Sequence, residues 1–266
     1  MMRFLKITHY LLIALLVACS VEPRTPPNIS EAWIEMPDGV RLAADIYWPT
    51  RASKNEQFPV LLEYLPYRKD ESRGRNFPLY SYFQDNGYIV ARVDMRGTGN
   101  SEGVTIPYEY SDIELDDGEK VIAWLSKQDW STGNVGMFGI SWGGFNSIQM
   151  AMRNPPALKA FVALMSTEYL YQEDVHYMDG IMHTDSWMMS NDLYNSLPGA
   201  PDFRLDDNWV RDRFDVKPSV YTYMREQRDG PFWDRASARN QYEKIKVPGY
   251  HIGGWYDAYR NSLPRM

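Results

Sequence analysis

The chain has 266 residues, enough for one large α/β domain or two small ones. It is 44% hydrophobic and 24% charged, an ordinary globular composition, and its net charge of −7 excludes the basic surface that a nucleic-acid partner requires. Aromatic residues make up 14% of it, with 9 Trp and 19 Tyr, which suits an aromatic-lined cleft as well as a core.

The first nineteen residues carry Arg3 and Lys6, then the apolar run Tyr10 to Ala18, then Cys19. The run is too short to span a bilayer and reads as the apolar region of an export signal. Leu16-Val17-Ala18-Cys19 resembles the bacterial lipobox. That resemblance implies that Cys19 becomes the lipidated first residue of the mature protein. Ser20 in the next position points to the outer membrane, facing the periplasm. Cys19 is the single cysteine, so no disulfide framework is possible. Residues 20–30 form a proline-rich, extended tether.

The folded part begins with two strand-like stretches, Ala32 to Met36 and Val40 to Trp48, joined by Pro37-Asp38-Gly39; this predicts a β-hairpin. Phe58 to Leu65 reads as a third strand and runs into Pro66-Tyr67-Arg68-Lys69. A short helix is expected over Leu79 to Asn86, closed by Gly87. Tyr88 to Asp94 is nearly all apolar, as buried parallel strands are. The following Arg96 to Gly103 tempts a dinucleotide reading, but Glu102 stands where G-x-G-x-x-G needs its last glycine. A tight polar loop beside the active site is the better reading, and no cofactor is expected.

Ile113 to Lys127 has a helical pattern, with Glu114, Asp116 and Asp117 early and Lys127 late, as the helix dipole favours. Asn134 to Ile140 is a buried strand, and Gly139-Ile140-Ser141-Trp142-Gly143 matches the G-x-S-x-G nucleophile elbow. A nucleophile on a strand-to-helix turn occupies a cramped backbone conformation. Side chains two residues before and after it would collide, so glycine fills both places. A helix is expected from Phe145 to Arg153, stopped by Asn154-Pro155-Pro156, and then a strand from Leu158 to Met165. The alternation ceases between about residues 167 and 242, a stretch rich in Trp, Tyr and Met (Trp187, Met188, Met189, Trp209, Tyr221, Tyr223, Trp233), with broken helical patterns. It is most simply a helical cap over a cleft. Val247 to Gly253 resumes a strand, which Trp255-Tyr256-Asp257 closes.

These elements predict an α/β-hydrolase core with a mostly parallel sheet, built from residues 31–166 and 243–266, with 167–242 as its cap. Ser141 is the nucleophile. Asp257, at the end of a strand after the insertion, stands where the triad acid belongs. The backbone N–H of Trp142 is one oxyanion donor, and Tyr67, in the loop after the third strand, is the other. The imidazole is the missing member. His9 lies in the signal, His176 and His183 in the insertion, and His251 precedes Asp257 instead of following it. His176, Asp179 and His183 fall on one helical face by spacing, but no H-E-x-x-H accompanies them, and no metal is expected. Glu173, Asp174 and Asp179 could meet an α-ammonium group; a solvated acidic face is the favoured reading.

Asp38-Gly39-Val40-Arg41-Leu42, Pro66-Tyr67, Asp94 to Gly103, Trp124-Leu125 with Trp130, Gly139 to Gly144 and Gly254 to Asp257 together resemble the Xaa-Pro dipeptidyl-peptidase/cocaine esterase family, from about residue 30 onward. The resemblance implies a serine hydrolase of proline-type dipeptides, acyl esters, α-amino acid esters or glutaryl amides. It assigns Ser141 as nucleophile, Asp257 as triad acid and Tyr67 as the oxyanion tyrosine. It also implies that the last strand and helix, the catalytic histidine and a carboxy-terminal jelly roll lie beyond Met266. Residues 1–266 alone are then expected to be nearly inactive. The alternative is a non-catalytic, lipid-anchored remnant or ligand-binding fragment.

Overall fold

The structure, a computed structural model, describes residues 28–50, 53, 55–174, 177–178, 180–182, 192–199 and 202–266. Cys19, the metal reading of His176, Asp179 and His183, and Trp187, Met188 and Met189 lie outside these residues.

Strands β1 (Ile29–Glu35) and β2 (Arg41–Tyr47) pair antiparallel across the expected turn. Gly39 takes φ +84°, a left-handed conformation open to glycine, and Gly39 N–H and Met36 N–H close the turn at 2.9 and 2.8 Å. β3 (Phe58–Leu65) and β4 (Ile89–Asp94) are the two apolar runs read from the sequence. β4 pairs antiparallel with β2 and parallel with β3. β5 (Ser131–Ile140), β6 (Leu158–Leu164) and β9 (Gly249–Ile252) extend the parallel part, giving the order β1-β2-β4-β3-β5-β6-β9. Two apolar clusters pack on the sheet. The larger contains Leu62, Val93, Val135 and Phe145, and the smaller contains Tyr47, Tyr80, Val90 and Phe138. The fold is the mostly parallel sheet with helices of an α/β-hydrolase.

Helix α1 (Lys69–Asp85) begins ten residues before the expected one and runs through Pro78. Its first turns carry charge, Gly74 and no apolar stripe, so periodicity does not reveal them. They are held instead by ion pairs. Lys69 Nζ meets Asp45 at 2.8 Å and Asp70 at 3.0 Å, and Arg73 Nε meets Asp45 at 2.7 Å. Helix α2 (Asp112–Ser126) and helix α3 (Trp142–Arg153) match the expected helices within a few residues. No helix among the described residues is long and apolar enough to cross a membrane.

Between β6 and β9 the chain leaves the sheet. The described residues form no long helix there. They make short helical turns at Leu170–Glu173, Asp207–Trp209, Val220–Tyr223 and Pro231–Asp234, a π-helical turn at Val210–Phe214, and a small hairpin of β7 (Tyr177–Met178) with β8 (Ile181–Met182). Prolines at 198, 218 and 231 interrupt longer helices. Stacked aromatics hold the segment together: Trp233 lies edge-on to Tyr177 at 4.6 Å and stacks on Tyr223 at 5.9 Å.

On the side of the sheet that packs against α1, Arg92 Nη1 donates to Glu63 Oε2 at 2.6 Å, and the Tyr80 hydroxyl donates to the same oxygen. All three side chains are buried. Removing one partner of such a pair leaves an uncompensated charge in an apolar layer. Arg92→Met is expected to destabilise the chain by about 3–5 kcal/mol in urea unfolding. The double change Glu63→Leu with Arg92→Met should recover most of the loss.

Candidate active site

The elbow is built from backbone contact. β5 ends at Ile140 and α3 starts at Trp142, with only Ser141 between. A Cβ on Gly139 would lie 2.7 Å from Gly143 Cα, and one on Gly144 would lie 2.7 Å from the Leu164 carbonyl oxygen. Neither neighbour is a movable side-chain end, so glycine is required at both positions. Ser141 itself is forced to φ +53° and ψ −121°, a strained conformation for a residue with a side chain. Its N–H donates to Leu164 O at 2.9 Å and its carbonyl accepts from Phe145 N–H at 3.0 Å. These bonds tie the turn to β6 and to the first turn of α3.

Tyr67 follows β3 in the loop Pro66–Arg68, where Arg68 takes φ +47° and its N–H bonds Pro66 O at 2.8 Å. This tight turn directs the phenol to the elbow. The Ser141 side chain and the Trp142 backbone N–H lie close enough to the Tyr67 hydroxyl to act on its ionisation. Burial raises its pKa, and those two groups oppose the rise without cancelling it. The phenol therefore keeps its proton across the neutral and mildly alkaline range. Three of the residues singled out in the sequence thus lie together: the Ser141 hydroxyl, the Tyr67 phenol and the Trp142 backbone N–H.

Asp257 sits in the turn after β9, where its N–H bonds Gly254 O at 3.0 Å. Burial raises its pKa, and the nearby backbone N–H groups of Ala258 and Tyr259 oppose the rise without cancelling it. Asp257 Oδ2 is buried and has no hydrogen-bond partner among the described residues. β5, β6 and β9 are neighbours and parallel, so Ser141 and Asp257 leave the sheet at the same edge. Two strand spacings separate their strands, roughly 10 Å. Tyr259, two residues beyond Asp257, packs edge-on against Phe145 of α3 at 5.1 Å and links the two turns.

His251 is the one histidine among the described residues, and it is not brought to Ser141. It pairs in register with Ala163 within the sheet, and its ring lies edge-on to Phe161 at 5.3 Å. Burial lowers its pKa.

Beside the elbow lies a cavity of about 300 Å³. Pro66, Trp142, Thr98 and Thr105 to Glu109 line it together with residues within 192–195 and 213–219, which belong to the segment between β6 and β9.

The sequence profile of the X-Pro dipeptidyl-peptidase (S15) family matches residues 38–266. The chain belongs to this family. The cocaine esterase of Rhodococcus sp. (strain MB1 Bresler) is 35% identical over 145 residues, which cover 54% of this chain and 24% of the esterase. A CocE/NonD family hydrolase from Staphylococcus aureus superposes with a TM-score of 0.62 at 24% identity, over 82% of this chain and 39% of its own. An aminopeptidase from a marine sediment archaeon, Thaumarchaeota archaeon, superposes with a TM-score of 0.65 at 20% identity, over 89% and 45%. The chain thus spans about a quarter of the esterase and under half of each of these structures. These family resemblances accord with the α/β-hydrolase fold and with a hydrolase of esters or peptides.

Two features of this S15-family site were not read from the sequence. Glu114, fully buried on α2, accepts Trp142 Nε1–H at 2.7 Å and Tyr110 N–H at 2.6 Å. It therefore fixes the indole next to the nucleophile. Ser111-x-x-Glu114 has the spacing of a capping box, which was the available signal, although Glu114 reaches Tyr110 instead of the helix cap. The second concerns the acidic cap residues. Glu173 and Asp174 are not a solvated face: both are buried, and Glu173 Oε2 accepts Arg265 Nη2 at 2.7 Å.

Burial pushes Glu114 up to about 8. Unfolded, it titrates near the ordinary glutamate value of 4.5. Between those values the folded chain holds a proton that the unfolded chain has released, so this group lowers stability as pH rises. Its contribution is fully present below the unfolded value and is lost by about pH 8. Urea unfolding across that window should show a falling midpoint. Glu114→Gln should flatten the fall, and because an amide offers one acceptor to two donors, it should also lower stability overall.

Proposed function

We propose that the chain carries the nucleophile, the oxyanion donors and the orienting acid of a serine hydrolase that cleaves esters or amides by acyl transfer. The observation that carries this reading is the meeting of the Tyr67 hydroxyl and the Trp142 N–H at Ser141. Ser141 Oγ attacks the carbonyl carbon, and the electron pair moves to the carbonyl oxygen. Tyr67 O–H and Trp142 N–H receive the resulting negative charge. The start of α3 lies behind them, and its dipole adds to the field. The tetrahedral intermediate collapses, the leaving group departs with a proton, and water releases the acyl group.

Asp257 orients the base. Its Oδ2 is a buried acceptor, suited to the N–H of an imidazole and to stabilising the cation formed when that ring takes the Ser141 proton. His251 does not fill the role, since its ring is committed to the sheet beside Phe161. By family resemblance, the imidazole belongs to a segment following Met266, as does the remainder of a protein whose relatives are more than twice this length. Residues 1–266 alone then retain only the rate that binding and the oxyanion hole supply, on the order of 10³–10⁴ over water.

A fluorophosphonate probe is expected to label Ser141 slowly in residues 1–266 and not at all in Ser141→Ala. Tyr67→Phe should slow labelling by about 10²–10³-fold. Turnover of p-nitrophenyl acetate should stay near the residual level until a histidine-bearing carboxy-terminal segment is supplied. Ser141-dependent turnover at the rate of a complete relative would refute the assignment of the base. Absence of any labelling would favour a non-catalytic binding protein.

We further propose that Cys19 anchors the chain by lipid to the cell envelope, with residues 20–28 as spacer before β1. Cys19→Ala should move the protein from the membrane fraction to the soluble fraction of an expressing bacterium; retention on the membrane would end this reading.

A further inference from the structure

Several buried carboxylates of this chain are paired with a cation. Asp45 meets Lys69 at 2.8 Å, Glu63 meets Arg92 at 2.6 Å, Asp117 meets Arg96 at 2.7 Å, and Glu173 meets Arg265 at 2.7 Å. Glu114 is at least as deeply buried, and among the described residues it has no lysine or arginine in ion-pair distance. Burying a lone charge costs so much that such a group keeps its proton instead.

A neutral carboxyl has a hydrogen to donate and needs an acceptor for it. Asn146, in the second turn of α3, is fully buried and close enough to Glu114 to act on its ionisation. Both hydrogens of its Nδ2 are engaged, with Tyr64 O at 3.2 Å and Met95 Sδ at 3.9 Å. Its Oδ1 is buried and has no hydrogen-bond partner among the described residues. An O–H on Glu114 supplies the donor that this oxygen lacks. The two N–H groups that Glu114 accepts leave room for it. Trp142 Nε1–H comes to Oε1 at 2.7 Å and Tyr110 N–H to Oε2 at 2.6 Å, and each oxygen keeps a further site.

The other ionisable groups around Glu114 do not replace the missing counter-ion. Glu109, in the loop before α2, adds a negative field that favours the neutral acid. Asp117, further along α2, is neutralised by Arg96. Arg235, from the segment between β6 and β9, donates to the carbonyls of Glu109 and Tyr110 at 3.3 and 3.4 Å. Tyr64 of β3 donates its hydroxyl to the Glu114 backbone carbonyl at 3.1 Å. The Tyr110 ring stacks on Phe145 at 5.1 Å, and α3 presents only the neutral Trp142 and Asn146 to the carboxyl. Burial dominates, and the Glu114 carboxyl is pushed up to about 8.

We propose that Glu114 is a positioning residue that works as a neutral acid, accepting Trp142 Nε1–H and Tyr110 N–H while giving its own proton to Asn146 Oδ1. It holds the residue whose backbone N–H receives the oxyanion without setting a negative charge behind it. Ionised, the same side chain opposes the charge that develops on the substrate oxygen. Across roughly 10 Å at an effective dielectric constant of about 20, that opposition slows attack on the order of tenfold. The oxyanion in this argument rests on the serine-hydrolase reading; the protonation of Glu114 does not.

The test is the pH profile of fluorophosphonate labelling of Ser141 in residues 1–266, with folding followed by circular dichroism. With no base supplied, labelling rises with hydroxide. In the unmodified chain the rise should bend near pH 8 as Glu114 ionises, and labelling should fall about tenfold behind Glu114→Gln on the alkaline side. Trp142→Phe removes an N–H that favours the carboxylate, so the bend should move to higher pH. Glu109→Gln removes a repelling charge, so the bend should move to lower pH. A glutamate that merely held the fold together would move neither. These two opposite shifts carry the test by themselves if Glu114→Gln does not fold. Infrared difference spectra of the unmodified chain against Glu114→Gln report the proton directly: a carboxylic acid C=O band should be present at neutral pH and lost above the bend. Absence of that band, an unbent profile, or a bend that both variants leave in place would overturn the proposal. The acid band in a chain that the probe labels at no pH would instead retain the neutral Glu114 and reject the hydrolase reading.

Discussion

The contact between Gly139 and Gly143 is the constraint on which the rest of the site depends. The end of β5 and the first turn of α3 approach so closely that a Cβ on Gly139 would lie 2.7 Å from Gly143 Cα, while one on Gly143 would press on Leu65 Cδ2 of β3. Only that approach lets one residue reverse the chain between strand and helix, and it leaves that residue at φ +53°. The strain is stored in Ser141 and offset by burial around it. Gly144 touches the Leu164 carbonyl, and most of α3 is buried. In its proposed role as nucleophile, a serine held this way needs no movement to present its hydroxyl. Preorganisation of that kind spares the reaction the cost of arranging donors as charge develops.

The loops around the elbow are fixed by buried carboxylates more than by apolar contact. Asp94, at the end of β4, receives Lys69 N–H at 2.6 Å and Asn100 N–H at 3.1 Å, so one side chain joins the loop of Tyr67 to the loop at 97–101. Burial pushes it up to about 6, a cost that the two N–H groups reduce. Arg96 carries the same logic outward. It pairs with Asp117 of α2 at 2.7 Å and with Asp38 in the hairpin turn at 2.6 Å. Glu114 then ties α2 to Trp142. Each of these groups is costly to bury alone, and each holds a separate piece of chain at the edge of one sheet.

The sheet and elbow were legible in the sequence because each obeys a local rule. Buried parallel strands are apolar runs, and the elbow needs its glycines where they stand. The stretch from Asp94 to Gly103 was legible as a tight loop but not in its reasons. Gly97 would place a Cβ 2.5 Å from the Thr105 backbone, Gly99 one 2.2 Å from Asp94 Oδ2, and Ser101 Oγ links Ala43 N–H to Asp94 O. Most of these contacts fold the loop onto itself, and the bond to Ala43 crosses fifty-eight residues; spacing encodes neither. The first turns of α1 were missed because ion pairs with β2 override a polar, glycine-containing sequence. The acidic residues at 173 and 174 were misread for the opposite reason. Charge suggests solvent, yet an arginine ninety-two residues away supplies the partner.

Arg265 has one more consequence. Its guanidinium pairs with both Glu168 and Glu173, at the root of the segment that covers the cleft, and Ser262 donates to Glu168 as well. The stretch that holds Asp257 is thereby tied to the chain that leaves β6. On the reading proposed above, whatever displaces residues 168–173 displaces the aspartate as well, so the boundary of the cleft and its acid share one anchor.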